Sequence, residues 1–326
     1  MEYLPRPIPA SPERFMDRLR AFMRARRLAY RTEDSYCRWI HDFIRYHGMQ
    51  RPENLAAKHV DQWLSHLVCD RAVSANTQKT ALNALVFLYR QFLQQDLEPL
   101  QFSRAKKGRQ LPEVFSHEEA VRVLSLMSGP VRLAASLMYG SGLRVMEAAR
   151  LRVRDLDFGN QSLIVRESKG DKSRITLLPK SLFSSLSVQV DLATALYHRD
   201  REEGFGTIYV PGARSSRMPE PGIEWLYVFP AAGRAFCPVT QVVRRHHMRE
   251  QQIRRAVREA IQKAGIMKSA SCHTFRHSFA TNLLATGTSI RDIQELLGHS
   301  DVNTTMIYTH VVGKHKEGAT SPLDQR

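Results

Sequence analysis

Through the first hundred residues, apolar side chains recur at three-and-four spacing in four separate blocks, the period of amphipathic helices. Phe15, Leu19, Phe22 and Met23 mark the face of the first; Ser11 as N-cap and Pro12 at the first helical position introduce it, and its expected end is near Arg27. The second opens at Thr32, carries Tyr36, Trp39, Ile40, Phe43 and Ile44, and closes at Gly48. Val60, Trp63, Leu64 and Leu67 mark a third. A fourth starts near Ser74, exposes Asn76, Thr77, Gln78 and Lys79 in its first turns, and then buries Leu82, Leu85 and Leu88. Over 101–112 the period fails: Arg104, Lys106, Lys107 and Arg109 stand among few apolar residues and Pro112 ends the run, the composition of an exposed linker.

Beyond Pro112 the pattern is mixed. Ser116 with Glu119 forms a capping box ahead of Val121 and Leu124, and a helix through Leu133, Ala134 and Leu137 runs out at Gly140 and Gly142. Ile164 with Val165, and then 175–178, read as strands flanking the polar turn at 169–173, a hairpin. From Arg199 to Pro238 the chain is rich in Gly, Pro and Arg; Trp225, Tyr227 and Phe229 alternate before Pro230 as in a short strand or aromatic ledge, and periodicity assigns nothing more there. Ile253, Ala256, Val257, Ala260 and Ile261 then form one helical face, Arg254, Arg255 and Arg258 another, and Gly265 ends the helix. Shorter helices follow over 273–285, from the cap pair Ser289 and Asp292 to Leu297 with Gly298 as the stop, and over 303–311, which carries Tyr308. The organisation is mainly α with a small β-sheet: a helical N-terminal domain over 1–100, a basic linker over 101–112, an α+β domain over 113–312 and a tail over 313–326.

Composition narrows the partners. With 326 residues the chain can build two separate cores, and 48 Lys and Arg against 32 Asp and Glu leave a formal charge of +16, enough to attract a polyanion. DNA is the expected partner; an anionic membrane surface fits less well, because the basic residues are spread over many segments with no cluster beside an apolar anchor. The most apolar stretch, 81–89, is interrupted by Asn83 and falls short of the roughly 20 residues a membrane span needs, and the opening MEYLPRPIPAS lacks a signal-peptide apolar region. Cys37, Cys69, Cys237 and Cys272 are scattered without a C-x-x-C pair, which points to a reducing compartment and to no disulfide framework or zinc module. A cytoplasmic, nucleoid-associated protein is expected.

The candidate chemistry lies in six positions: Arg144 within Gly-Ser-Gly-Leu-Arg-x-x-Glu, Lys169 on the hairpin turn, His273 and Arg276 in H-T-F-R, His299 after Gly298, and Tyr308. Singly, a His or Arg near a helix end is an ordinary surface or capping residue; six in this order resemble the tyrosine recombinase family over nearly the whole chain. Phosphodiester transfer builds charge on the non-bridging oxygens, and planar guanidinium groups such as Arg144 and Arg276 clamp it without a metal ion. A tyrosine hydroxyl with pKa near about 10 attacks only with help from a base and surrounding positive charge, and His273 is the candidate proton acceptor. The resemblance makes Lys169, directly before the turn glycine, the proton donor to the leaving 5′-oxygen in preference to Lys172, makes His299 a hydrogen-bond donor to the scissile phosphate, and makes Tyr308 the residue that forms a 3′-phosphotyrosyl intermediate. Neither ATP nor a metal is required. Glu147, His277 and His310 are expected to support these groups. His246 and His247 are not read as metal ligands, since neighbours on a helix point about 100° apart.

The run Val243-Arg-Arg-His-His-Met248, the long insertion over 199–238, the Trp225-x-Tyr-x-Phe-Pro230 ledge and the tail Ser321-Pro-Leu-Asp324 are similar to the integron integrases within that family. The resemblance implies a helical core-binding domain and a catalytic domain forming a C-shaped clamp on DNA, a synaptic tetramer, and an insertion that reads bases flipped out of a folded single-stranded hairpin. The polar stretch 210–219 departs from the amphipathic helix usual in that insertion. Candidate DNA contacts are Asn76, Thr77 and Lys79 on the fourth helix, Arg104, Lys106 and Lys107 in the linker, and Arg244, Arg245, His246 and His247. The alternatives are a Xer-like or phage-like recombinase on duplex sites, a type IB topoisomerase, and a non-catalytic DNA-binding module.

Overall fold

The computed structural model describes residues 7–105, 113–168, 172–210, 221–237, 241–299 and 301–309. The chain divides into two compact units that part between Arg109 and Gln110.

The N-terminal unit holds four helices, α1 (Phe15–Ala25), α2 (Tyr30–Tyr46), α3 (Ala57–Cys69) and α4 (Ala75–Val86), the last continuing into a π-helical turn at Phe87–Leu93. Their inward stripes meet in one core built on Leu19, Met23, Ile40, Phe43, Trp63, Leu64, Leu85 and Tyr89. Ser74 caps α4 by accepting a hydrogen bond from the Thr77 amide. One expectation is corrected here: Gln78 is not in the exposed front but 5% exposed, because its amide donates to the carbonyls of Leu64 and Ser103 and accepts from the Ala105 amide. With the Ser103 amide bonded to Ser65, this fastens 101–105 to α3 and α4, so the first half of the supposed linker is tied down.

The second unit is built from α5 (His117–Ser125), α6 (Gly129–Gly140), α7 (Val145–Ala149), α8 (Phe183–Glu202), α9 (Glu250–Lys263), α10 (Cys272–Ala285), α11 (Ile290–Leu297) and α12 (Asn303–Met306), with β1 (Leu156–Asp157), β2 (Ser162–Ser168), β3 (Lys172–Leu177), β4 (Ala235–Cys237) and β5 (Val242–Arg244). The first three strands make an antiparallel sheet in the order β1-β2-β3, with Ile164 opposite Ile175 and a register shift between Val165 and Ser168 that bends the hairpin as it nears its turn. β4 and β5 form a separate antiparallel pair. The main core packs Leu133, Leu137, Leu143, Val257, Ile261 and Phe275 from α6, α9, α10 and the approach to α7. A smaller cluster joins Phe279 and Ala280 of α10 to Ile293 and Leu297 of α11 and to Tyr308. Among the described residues no helix is long and apolar enough to cross a membrane.

Two further expectations change. Helix α8 was not foreseen: its buried positions Leu186, Gln189, Ala193 and Asp200 mix apolar and polar residues, so no apolar stripe announces it. Helix α12 stops at Met306, which leaves Tyr308 in a turn beyond it, and the expected end at 311 lies outside the described residues.

Candidate active site

Three chain reversals assemble the site. After α6 the chain turns through Gly142 at φ +66°, where a Cβ would stand 2.6 Å from the Phe279 ring and 3.1 Å from Leu297, so only glycine lets the loop lie against α10 and α11. Arg144 follows as the N-cap of α7, and its amide donates to Glu147 Oε2 at 2.8 Å. After α11 a second left-handed glycine, Gly298 at φ +64°, turns the chain so that His299 faces α10. The third reversal, after α12, brings Tyr308 back onto the same helix. Ser271 caps α10 ahead of His273, and the helical spacing from His273 to Arg276 and His277 sets all three on one face.

Glu147 is the hub. Its side chain, 10% exposed, accepts from Arg144 Nη1 at 2.8 Å and from both terminal nitrogens of Arg174 at 2.9 and 2.6 Å, with Arg276 Nη1 at 3.8 Å. Burial alone would raise this carboxyl; the hydrogen bonds and charge of Arg174, the Arg144 amide and the charge of Arg276 hold it at about 2. Arg174 also donates from Nε to the Leu296 carbonyl at 2.9 Å, so one arginine of β3 braces both Glu147 and the end of α11. A Cβ on Gly298 would stand 2.7 Å from Arg174 Cδ, a second reason for glycine at that corner.

Arg276, 4% exposed, donates to the carbonyls of Gly142 and Leu297 and lies 3.2 Å from His299 Nε2. Burial and the nearby charge of Arg144 push its pKa down. Because a guanidinium only donates, His299 Nε2 is an acceptor, and the ring proton belongs on Nδ1, 2.9 Å from Thr305 Oγ1. Burial and the charges of Arg276, Arg144 and Arg174 hold His299 at about 4, a neutral ring.

Tyr308 is 2% exposed, and its ring lies near parallel to that of His299, with centroids 6.5 Å apart. Its hydroxyl is 2.9 Å from Nδ1 of His277, not of His273. Burial raises the phenol pKa, and the charges of Arg276 and Arg144 oppose the rise. His273 is exposed at the start of α10; desolvation and the charges of Arg254, Arg276 and Arg144 hold it below its ordinary range.

The structure therefore brings Arg144, Arg276, His299 and Tyr308 together, sets His273 at their open edge, and adds Arg174 and the contact of His277 with Tyr308, which spacing did not reveal. Lys169 and His310 lie outside the described residues, as do Lys106 and Lys107. Asn76 and Lys79 are exposed on α4, Thr77 is half-buried with its hydroxyl on Ser74, and Arg104 is exposed beside the Phe102 ring. The remaining basic group is a correction. Arg244, His246 and His247 are 4–6% exposed, and Arg245 makes a two-pronged pair with Asp200 at 2.7 and 2.8 Å while donating to the Ala231 and Ala232 carbonyls. Arg245 thus ties α8 to the 231–232 backbone, and Arg244, His246 and His247 are packed inside rather than presented as a basic front.

That region forms a second concave surface. Tyr197, Phe205, Tyr209, Trp225, Tyr227 and Pro230 line a cleft whose wall includes Asp200 and Arg245. Trp225 carries the Arg154 guanidinium 4.1 Å from its ring centre and that of Arg152 at 5.5 Å, and Arg152 lies 4.3 Å from the Tyr227 ring.

Residues 113–315 match the phage integrase family, and residues 15–99 match the phage integrase N-terminal SAM-like domain. An integrase/recombinase of Escherichia coli is 44% identical over 319 residues, covering 97% of this chain and 95% of its own, and one of Pseudomonas aeruginosa is equally similar. Tyrosine recombinase XerD of Rhizobium meliloti is 28% identical, covering 87% of this chain and 86% of its own. Among solved structures, XerH bound to its palindromic difH substrate after cleavage aligns with TM-score 0.62 at 21% identity, covering 95% of this chain and 84% of that one. The Tn1549 transposon integrase with transposon right end DNA aligns with TM-score 0.63 at 15% identity, covering 92% and 97%.

Proposed function

The chain belongs to the phage integrase family, tyrosine recombinases that cleave and rejoin DNA, and from that premise we propose that it moves gene cassettes at integron attachment sites, folded single-stranded hairpins among them, through a 3′-phosphotyrosyl linkage on Tyr308. Arg144 and Arg276 bind the non-bridging oxygens of the scissile phosphate, where charge accumulates as Tyr308 attacks. Arg276 is the fixed clamp, held by two carbonyls; Arg144, with its side chain 33% exposed, is the one open to the substrate. His273 adds a hydrogen bond to the phosphate, and His299 orients Arg276 by accepting from it at Nε2. Lys169, assigned from the family pattern, protonates the departing 5′-oxygen. The linkage keeps the energy of the broken phosphodiester, so a 5′-hydroxyl of another strand reverses the step without ATP.

The N-terminal unit binds the core of the site, the catalytic unit cuts it, and four protomers assemble the synapse. The observation that carries the hairpin reading is the cleft at Trp225: half-buried aromatic faces with guanidinium groups on them are the stacking platforms that take bases out of a helix.

The test is covalent trapping with a labelled cassette-site hairpin, its duplex counterpart and a Tyr308→Phe control. Adducts formed preferentially on the hairpin, and lost both in the control and on the hairpin alone in Trp225→Ala, are expected. Equal or duplex-only adducts would place the enzyme with the Xer-like recombinases of duplex sites.

A further inference from the structure

Three imidazoles surround the nucleophile, and the structure gives them different tasks. His299 has both nitrogens engaged, Nε2 facing Arg276 and Nδ1 facing Thr305, so it lies against the Tyr308 ring without bonding its hydroxyl. His273, exposed at the first turn of α10, makes no hydrogen bond to Tyr308. Among the described imidazoles His277 is the one that reaches the phenol oxygen, Nδ1 to Oη, at 2.9 Å. The direction of that bond follows from satisfaction. Tyr308 is 2% exposed, and His277 Nδ1 is the hydrogen-bond partner of its hydroxyl among the described residues. A buried O–H requires an acceptor; an N–H at Nδ1 would leave the phenol proton with none. Nδ1 is therefore the bare nitrogen and Nε2 carries the ring proton.

We infer that His277, and not His273, is the base that takes the Tyr308 proton during strand cleavage; this rests on the reading of Tyr308 as the nucleophile. A general base must stand within hydrogen-bond reach of the proton it removes, and His277 satisfies this before DNA arrives. The step balances on His277 and Tyr308 together with Lys169, which is assigned from the family pattern. The Tyr308 O–H bond breaks and Nδ1–H forms, giving an imidazolium; the phenol oxygen bonds to phosphorus while the phosphorus–O5′ bond breaks; the 5′-oxygen takes a proton from Lys169. In rejoining, the incoming 5′-hydroxyl returns its proton to Lys169, and the departing phenolate recovers its own from His277. In the resting protein His277 is held neutral, at about 4, by burial and the neighbouring His273 and Arg276. A phosphodiester anion bound at Arg144 and Arg276 offsets that positive surrounding and strengthens the base as the substrate binds.

The experiment measures single-turnover adduct formation on whichever of the two cassette-site oligonucleotides the wild type cleaves. His277→Asn keeps an acceptor near the Nδ1 position and removes basicity. It is expected to slow cleavage roughly 100-fold to 1,000-fold with DNA affinity little changed. Added imidazole should restore cleavage to His277→Ala and not to His273→Ala. Cleavage by His277→Asn within about threefold of wild type, well below the usual worth of a general base, or imidazole rescue of His273→Ala instead, would overturn the inference. Nitrogen-15 NMR of the DNA-free protein reads the same bond without a substrate or a fragile variant: His277 Nδ1 should appear unprotonated in wild type and shift in Tyr308→Phe. A protonated Nδ1 is the contrary result. Adducts surviving in Tyr308→Phe would remove the nucleophile reading itself, whereas their loss there beside an unimpaired His277→Asn would sink only the role of His277.

Discussion

At the scale of single residues, the site is a set of positive charges made tolerable by one carboxylate. Glu147 touches Arg144 and Arg174 directly and Arg276 at 3.8 Å. Glu147→Gln keeps the shape and removes the charge, leaving buried guanidinium groups without a counterion, a change that costs about 3 kcal/mol. Urea unfolding should report that loss, and adduct formation should fall at least about tenfold as Arg144 loses its brace. Protonation gives a second prediction. His247, His277 and His299 are each held at about 4, chiefly by burial. Because an unfolded histidine titrates near about 6.5, the unfolded chain takes up protons between about pH 6.5 and 4 that the folded chain refuses, and stability falls as pH falls through that window. The urea midpoint at pH 5 should lie below that at pH 7, and His299→Asn should flatten the difference. A pH-independent midpoint would mean that these rings accept protons in the folded state.

At the scale of elements, helices with a clean apolar stripe and a cap could be read from the chain. α5 has the Ser116 and Glu119 capping box, and α11 runs from its Ser289 cap to Gly298. α8 could not, because Gln189 and Asp200 point inward where a stripe requires apolar residues, while Val188 and Leu192 face out. Gln78 shows the same limit in one side chain. Composition marks it as surface, yet three backbone partners draw it inside. Gln78→Ala leaves those groups unsatisfied and should destabilise the N-terminal unit by about 1–3 kcal/mol. Limited trypsin digestion should then cut faster at Arg104, which 101–105 now holds against α3 and α4. Unchanged digestion would show that the other contacts suffice.

At the scale of the whole molecule, a formal charge of +16 brings DNA to the protein, and the shape of particular surfaces decides which DNA. Lys79, exposed on α4, and Trp225, in the aromatic cleft, separate the two effects. Lys79→Ala should weaken hairpin and duplex binding alike and lower the slope of log affinity against log salt by up to about 0.9, one phosphate contact. Trp225→Ala should weaken the hairpin alone and leave the slope unchanged, because stacking releases no counterions. Filter binding over a salt series distinguishes them.

What the chain by itself determined was local or cumulative. Helical faces, caps and glycine stops depend on residues within a turn of one another, net charge is a sum, and the ordered Arg, His-x-x-Arg, His and Tyr anchors identify the chemistry. Tertiary structure alone decided which groups meet. Glu147 finds Arg174 27 residues away, and His277 finds Tyr308 31 residues away. Burial in the same packing turned Arg244, His246 and His247 from candidate DNA contacts into interior residues. The physical reason is that periodicity specifies which face of an element turns inward, whereas the partner across the core depends on how separate elements pack, and only there does His277 come within hydrogen-bond reach of the Tyr308 hydroxyl.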